Sequence, residues 1–164
     1  MNQEILKKLE STPEMAVNSI NRVISQYKES FEAWFPEEMY KWRAVQCFQE
    51  HWNPESEDLQ DSLAQANNLL DTNYAYPSKM IAYFAQQEPD TVRSMFQRLL
   101  APGANVIEQI QNFKQSADVL LVRHQLKESM KQHYQGDRTI CTYLFFAQPD
   151  RYFLYQYGKL KAFL

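Results

Sequence analysis

The chain has 164 residues, of which 45% are hydrophobic and 14% aromatic; this excludes a disordered chain and allows one domain with a real core. Net charge is −3, and the 2 cysteines, Cys47 and Cys141, stand far apart with no CxxC; this argues against a disulfide framework and against a uniformly basic nucleic-acid binder. Only 3 glycines are present, so few positions accept a positive φ cheaply, which suits helices separated by Pro and Asn breaks.

Met1 to Glu10 fits a short helix. Thr12-Pro13-Glu14 starts a longer one: a hydroxyl cap, a proline whose missing N–H is harmless at the first position, and an acid at the positive helix end. Val17, Ile20, Ile24, Tyr27 and Phe31 follow as one apolar stripe, and Pro36 is expected to end or bend this helix. Glu37 to Trp52 repeats the pattern with Met39, Trp42, Val45, Phe48 and Trp52. Asn53-Pro54 stops it ahead of a helix carrying Leu59, Leu63, Ala66 and Leu70.

Asp71 to Tyr76 reads as a loop. Pro77 opens a helix with Met80, Ile81, Phe84 and Ala85 inward; Pro89 opens another with Val92, Met95, Phe96 and Leu99 inward. Ala101-Pro102-Gly103 is a break. A helix from about Ala104 to about Lys131 follows, with Val106, Ile110, Phe113, Ala117, Leu120 and Leu121 inward.

After Gly136 the pattern changes. Thr139 to Phe146 is rich in β-branched and aromatic residues, Gln148-Pro149-Asp150-Arg151 has turn chemistry, and Tyr152 to Tyr157 fits a return strand. The expected fold is therefore mainly α: a multi-helix domain over 1–131, then a C-terminal aromatic β-hairpin segment over 132–164. That hairpin either packs on the helices or begins an α/β or α+β unit, because a hairpin alone in water is marginally stable.

Charge is unevenly distributed. Residues 1–122 hold 10 Lys/Arg against 17 Asp/Glu, whereas residues 123–164 hold 7 against 3. The basic part coincides with the aromatic part. Arg123, Lys127 and Lys131, spaced by four, would line one helical face and could neutralise phosphates together with Arg138 and Arg151. A solvated face is the plainer account of such a stripe. Tyr143 and Tyr155 are the candidates for stacking on a base, although for each hairpin ring taken singly a place in the core is the better expectation.

Familiar catalytic patterns are missing. Gly158-Lys159 lacks the surrounding residues of a phosphate loop; there is no H-E-x-x-H, no G-x-S-x-G and no calcium loop. His51, His124 and His133 have no metal-ligand spacing, and Cys47 sits between core-like aromatics. No catalytic residue, metal or cofactor is expected from the residues. With no signal peptide and no apolar run long enough for a bilayer, the expectation is a cytoplasmic protein with reduced thiols and no membrane association.

Three segments carry a family resemblance: Tyr40–Leu70, with Lys41-Trp42, Ala44-Val45 and Phe48; Pro89–Leu100, with Val92-Arg93 and Met95-Phe96; and His133–Lys161, with His133-Tyr134-Gln135, Thr142-Tyr143-Leu144, Pro149-Asp150, Tyr152 and Tyr155. Together they resemble the region ahead of the ATPase-like core in McrB-type restriction proteins, AAA+ GTPases of modification-dependent restriction systems. The resemblance implies a non-catalytic amino-terminal module that selects DNA, sometimes through a modified base, or supports assembly with a downstream AAA+ domain and a separate nuclease subunit. It implies no GTPase activity for these 164 residues, which lack the phosphate loop. It also implies that the hairpin opens an α/β unit continuing past Leu164. The rival expectation is a helical protein-interaction or oligomerisation domain that does not bind DNA, and a small enzyme of unknown type is a third, without sequence support.

Overall fold

The computed structural model describes residues 21–22, 25–26, 28–29, 31–67, 70–103, 105–125 and 131–154. The chain divides into two compact units, Met1–Tyr40 and Lys41–Leu164. In the first, residues 21–22, 25–26 and 28–29 are helical. The helix expected over Met1 to Glu10 lies outside the described residues, as do residues 12–20, 23–24, 27 and 30 of the helix expected from Thr12 to Pro36.

Six bounded helices are defined among the described residues: α1 (Phe31–His51), α2 (Leu59–Ala66), α3 (Pro77–Gln87), α4 (Pro89–Leu99), α5 (Val106–His124) and α6 (Asp137–Ala147). The mainly helical expectation holds, and no strand occurs among the described residues. Pro36 neither ends nor starts α1 but stands inside it. A proline removes one backbone bond at a cost of about 3 kcal/mol. Helix formers on either side and the burial of Ala44, Val45 and Phe48 further along outweigh that loss.

Local chemistry starts most of the other helices. The Asp58 carboxylate accepts from the Asp61 N–H at 2.9 Å and opens α2. Proline stands at the start of both α3 and α4. The Asp71 carboxylate receives the Ser78 N–H at 2.8 Å, tying the 71–76 loop to the first turn of α3. Asn105 accepts from the Ile107 N–H at 3.0 Å and opens α5. Gly103, at φ 77°, makes the left-handed turn between α4 and α5 that a β-carbon would strain.

The core of the second unit is built on aromatic rings. Phe48, Phe84, Phe96, Phe113, Tyr143 and Phe146 are all fully buried. Phe96 of α4 is the hub: its ring centroid lies 4.6 Å from Trp52, 5.2 Å from Phe113 and 5.1 Å from Tyr143. These tilted and edge-to-face geometries match the ring quadrupole preference. The expected inward residues of α3 and α4 are all buried. Trp42, expected inward on α1, is half exposed, although its ring reaches Phe145 at 6.3 Å. Arg93 fastens the loop after α1, donating to the carbonyls of Pro54 and Ser56.

Two expectations are corrected here. The helix expected to reach Lys131 ends at His124, with Gln125 extended. Lys131 therefore does not share a helical face with Arg123, and residues 131–136 run as irregular chain. The second correction is larger. Thr139 to Phe146, expected as a strand, lies inside helix α6. Seven of its eleven residues are buried, from Thr139 to Phe146 with Cys141 half-buried. A helix hidden on nearly every side has no polar face, so its sequence reads as an apolar run and the helical period is lost. Its true signals are small. Gly136 precedes it, Asp137 sits at the positive end, and the Thr142 hydroxyl bonds back to the Arg138 carbonyl at 2.8 Å. Of the expected return strand, 152–154 are described and carry no strand; 155–157 lie outside the described residues.

Candidate interaction surface

The aromatic residues of 137–147 face inward. Tyr143 has no exposed surface, and its ring is enclosed by Phe96 and Phe113. Its hydroxyl donates to the Gln135 side-chain carbonyl at 2.9 Å. The Gln135 amide nitrogen in turn donates to the carbonyls of Pro77, at 2.7 Å, and His133, at 3.1 Å. This buried polar chain is satisfied at each link, which makes it rigid. Burial pushes the Tyr143 phenol well above its ordinary value, with the Asp71 charge adding to the effect. A ring so enclosed offers no face to a base, so Tyr143 is a core residue and not a stacking platform. Tyr155, the other stacking candidate, lies outside the described residues.

The cations are dispersed. Arg123, in the last turn of α5, donates to both carboxylate oxygens of Glu88, at 2.7 and 2.9 Å. His124 Nε2 lies 2.6 Å from the same carboxylate, and the Thr91 hydroxyl donates to it at 2.8 Å. Glu88 thus joins the α3–α4 junction to the end of α5. The Arg123 guanidinium, then His124 and Thr91, hold the Glu88 carboxyl down at about 2. Lys131 is exposed on irregular chain. Arg138 is exposed in the first turn of α6. Arg151 lies in the turn after the other end of that helix, and its guanidinium lies 5.3 Å from the centre of the Tyr152 ring. Lys127 lies outside the described residues. The sequence spacing that suggested one basic stripe is therefore not realised as one helical face.

The other polar candidates serve local structure. Cys47 donates its thiol to the Gln65 carbonyl at 3.2 Å. His51 Nδ1 is 2.9 Å from the Cys47 carbonyl but 3.9 Å from its sulfur, so the ring is aligned with the backbone and not with the thiol. His133 accepts from the Gln135 N–H at Nδ1 and donates from Nε2 to Asp118 at 3.0 Å. No group of three or more metal-ligating side chains occurs among the described residues. A groove of about 470 Å³ runs beside α2 and α3, lined in part by Gln60, Asp71, Lys79 and Tyr83. Three of its polar groups are already engaged: Asp71 by Ser78, the Tyr83 hydroxyl by the His124 carbonyl at 3.0 Å, and Lys79 over the Tyr76 ring at 5.0 Å.

What sequence reasoning passed over is the outward face of α5. Ile107, Val119 and Val122 are each more than half exposed. Their signal was present in the sequence: all three fall off the inward stripe of the same helix. Glu88 and Gln135 gave no such signal, because their partners lie 35 and more residues away in one case and across the core in the other.

Fold and surface together define a helical domain with an aromatic core and a mixed apolar and polar exterior. No helix among the described residues is long and apolar enough to cross a membrane. Comparison with family models, with curated proteins and with solved structures finds no match.

Proposed function

We propose that this chain is a non-catalytic, cytoplasmic helical module whose contribution is to assembly, of the kind expected ahead of the ATPase-like core in McrB-type restriction proteins. The observation that carries the choice of assembly over base recognition is the burial of Tyr143 and its neighbours: the rings are consumed by the core. Exposed apolar side chains on α5 supply a surface for another protein.

Contact with DNA is the second reading, favoured by the exposed Lys131, Arg138 and Arg151, which suit phosphates and carry no sequence information. Light scattering over a micromolar concentration series, beside electrophoretic mobility of methylated and unmethylated duplexes at low salt, separates the two. Assembly expects a mass above one chain and unshifted duplexes. A constant single-chain mass with a salt-sensitive shift overturns it in favour of DNA contact.

A further inference from the structure

Both ring nitrogens of His133 are committed, and to opposite roles. Nδ1 accepts the Gln135 backbone N–H at 2.8 Å, and Nε2 lies 3.0 Å from the Asp118 carboxylate. An ionised carboxylate only accepts, so Nε2 carries the proton, and Nδ1 can accept only while it has none. The ring that fits this segment is therefore the neutral one. A second proton, placed on Nδ1, turns that acceptor into a donor aimed at another donor.

The segment has little slack for such a change. Gln135 has no exposed surface, so its N–H has no water to turn to. Its side chain pins the segment to the core through the Pro77 carbonyl at 2.7 Å and the Tyr143 hydroxyl at 2.9 Å. Between His133 and Gln135 stands Tyr134, at φ 58° the one non-glycine residue with positive φ among the described residues. A β-carbon disfavours that conformation, and the surroundings must hold it. The Tyr134 ring meets Tyr76 edge-on at 6.2 Å, and its carbonyl accepts the Thr139 hydroxyl at 2.9 Å. A strained residue thus separates an anchor on α5 from an anchor in the core.

The surrounding charges decide which anchor gives way. On α5, Asp118 faces Nε2, and one turn earlier Lys114 is taken up by Asp137 of α6 at 2.9 Å. Arg138, the other charge of α6, and Lys131 are exposed. α3 carries a single charged side chain, Lys79, which lies over the Tyr76 ring, and Asp71 ahead of it receives the Ser78 N–H. Among the described residues, the charge in hydrogen-bond contact with the imidazole is therefore negative. It attracts an imidazolium more than an imidazole. On protonation the ring stays with Asp118, and the Gln135 N–H is the group that must move.

We infer that residues 131–136 form an acid-released latch: a proton on His133 Nδ1 expels the Gln135 N–H, and the chain turns at Tyr134 while the ring remains on Asp118. The latch does not depend on the assembly reading.

Amide hydrogen exchange of the full chain, followed by NMR from about pH 8 to about pH 5, spans the charge change of an imidazole and tests the latch. Protection is read for each amide against an unstructured amide at the same pH. Gln135 is expected to lose protection at least about tenfold in acid, in step with protonation of His133 Nδ1 seen in its nitrogen shift. Leu120, buried in α5, is expected to keep its own. Two variants separate the latch from general acid unfolding. His133→Asn puts a side-chain carbonyl oxygen near the place of Nδ1, which accepts the Gln135 N–H whatever the pH, and is expected to abolish the acid loss. Asp118→Asn removes the attracting charge and is expected to move the loss to lower pH. Gln135 protection that persists through protonation of His133 overturns the latch, as does a His133 ring that stays neutral down to about pH 5. Protection lost at Gln135 and Leu120 together, and equally in His133→Asn, assigns the change to unfolding and overturns it as well.

Discussion

Helices α4 and α6 are each eleven residues long and meet through Phe96 and Tyr143, yet they are built on opposite principles. α4 buries one stripe, Val92, Met95, Phe96 and Leu99, and turns Gln97 and Arg98 to solvent. Its cost of desolvation is small and its start is fixed by Pro89 and Asp90. α6 buries most of its circumference, including the threonines Thr139 and Thr142. Their hydroxyls are satisfied by the backbone carbonyls of Tyr134 and Arg138, at 2.9 and 2.8 Å. The comparison teaches that a helix surrounded by protein is specified by what encloses it, whereas a helix at the surface is specified by its own pattern.

The sharpest way to break this comparison is to empty the enclosed helix. Phe146→Ala is expected to cost about 3–5 kcal/mol, by lost transfer and a residual cavity. Phe146 packs on Phe48 at 5.8 Å and has almost no room to relax. In a domain of this size that lowers the melting temperature by roughly 10 °C. A loss under about 1 kcal/mol in denaturant titration would contradict full enclosure of α6.

Tyr143→Phe removes a single oxygen and leaves the ring in place. The buried Gln135 carbonyl then lacks its donor, with an expected loss of about 1–3 kcal/mol in the same titration. The phenol–amide link is redundant should the variant match wild type. Carbon secondary shifts by NMR supply the conformational counterpart. Residues 137–147 should show helical values in wild type; strand values would return this segment to the hairpin that its composition suggested.

Glu88 gives a smaller effect, at the surface end of α4. Its carboxyl is held at about 2 in the folded chain against an ordinary 4.5. A lowered folded value stabilises above the unfolded value, so this contribution is complete above about pH 4.5 and fades as pH falls toward 2. Glu88→Gln should cost about 1 kcal/mol at neutral pH, since Arg123 is largely exposed and its pairing is screened. It should also flatten the acid limb of the melting curve. An acid limb identical to wild type would assign the loss to other carboxylates.

The smallest effects belong to the dispersed cations. Arg138→Ala and Arg151→Ala should each change stability by less than about 0.5 kcal/mol. Neither should alter self-association. A drop in duplex affinity on these substitutions would instead favour the phosphate-contact reading over assembly.

Much of the fold was readable in the residues themselves. The proline starts of α3 and α4, the 71–76 loop, the break at Ala101-Pro102-Gly103 and the inward stripes of α3 and α4 follow from local backbone chemistry and a 3.6-residue period. The candidate site was much less readable. Arg123 was identified as a cation, but its partner Glu88 lies 35 residues away, and no local rule couples them. Tyr143 was read as an aromatic on a strand because β propensity rewards such residues when half-buried. The core rewards them equally inside a helix.

Sequence by itself determined a helical protein with an aromatic core, and where most of its surface helices begin and end, because caps, prolines and polar faces act within a few residues. Tertiary structure decided the fate of Thr139 to Phe146 and of the basic residues around it. The enclosure of that segment by Phe48, Phe96 and Phe113, and the capture of Arg123 by Glu88, arise between residues far apart in the chain. Burial of apolar area is non-directional, so it can turn a strand-like run into a helix once its neighbours close around it.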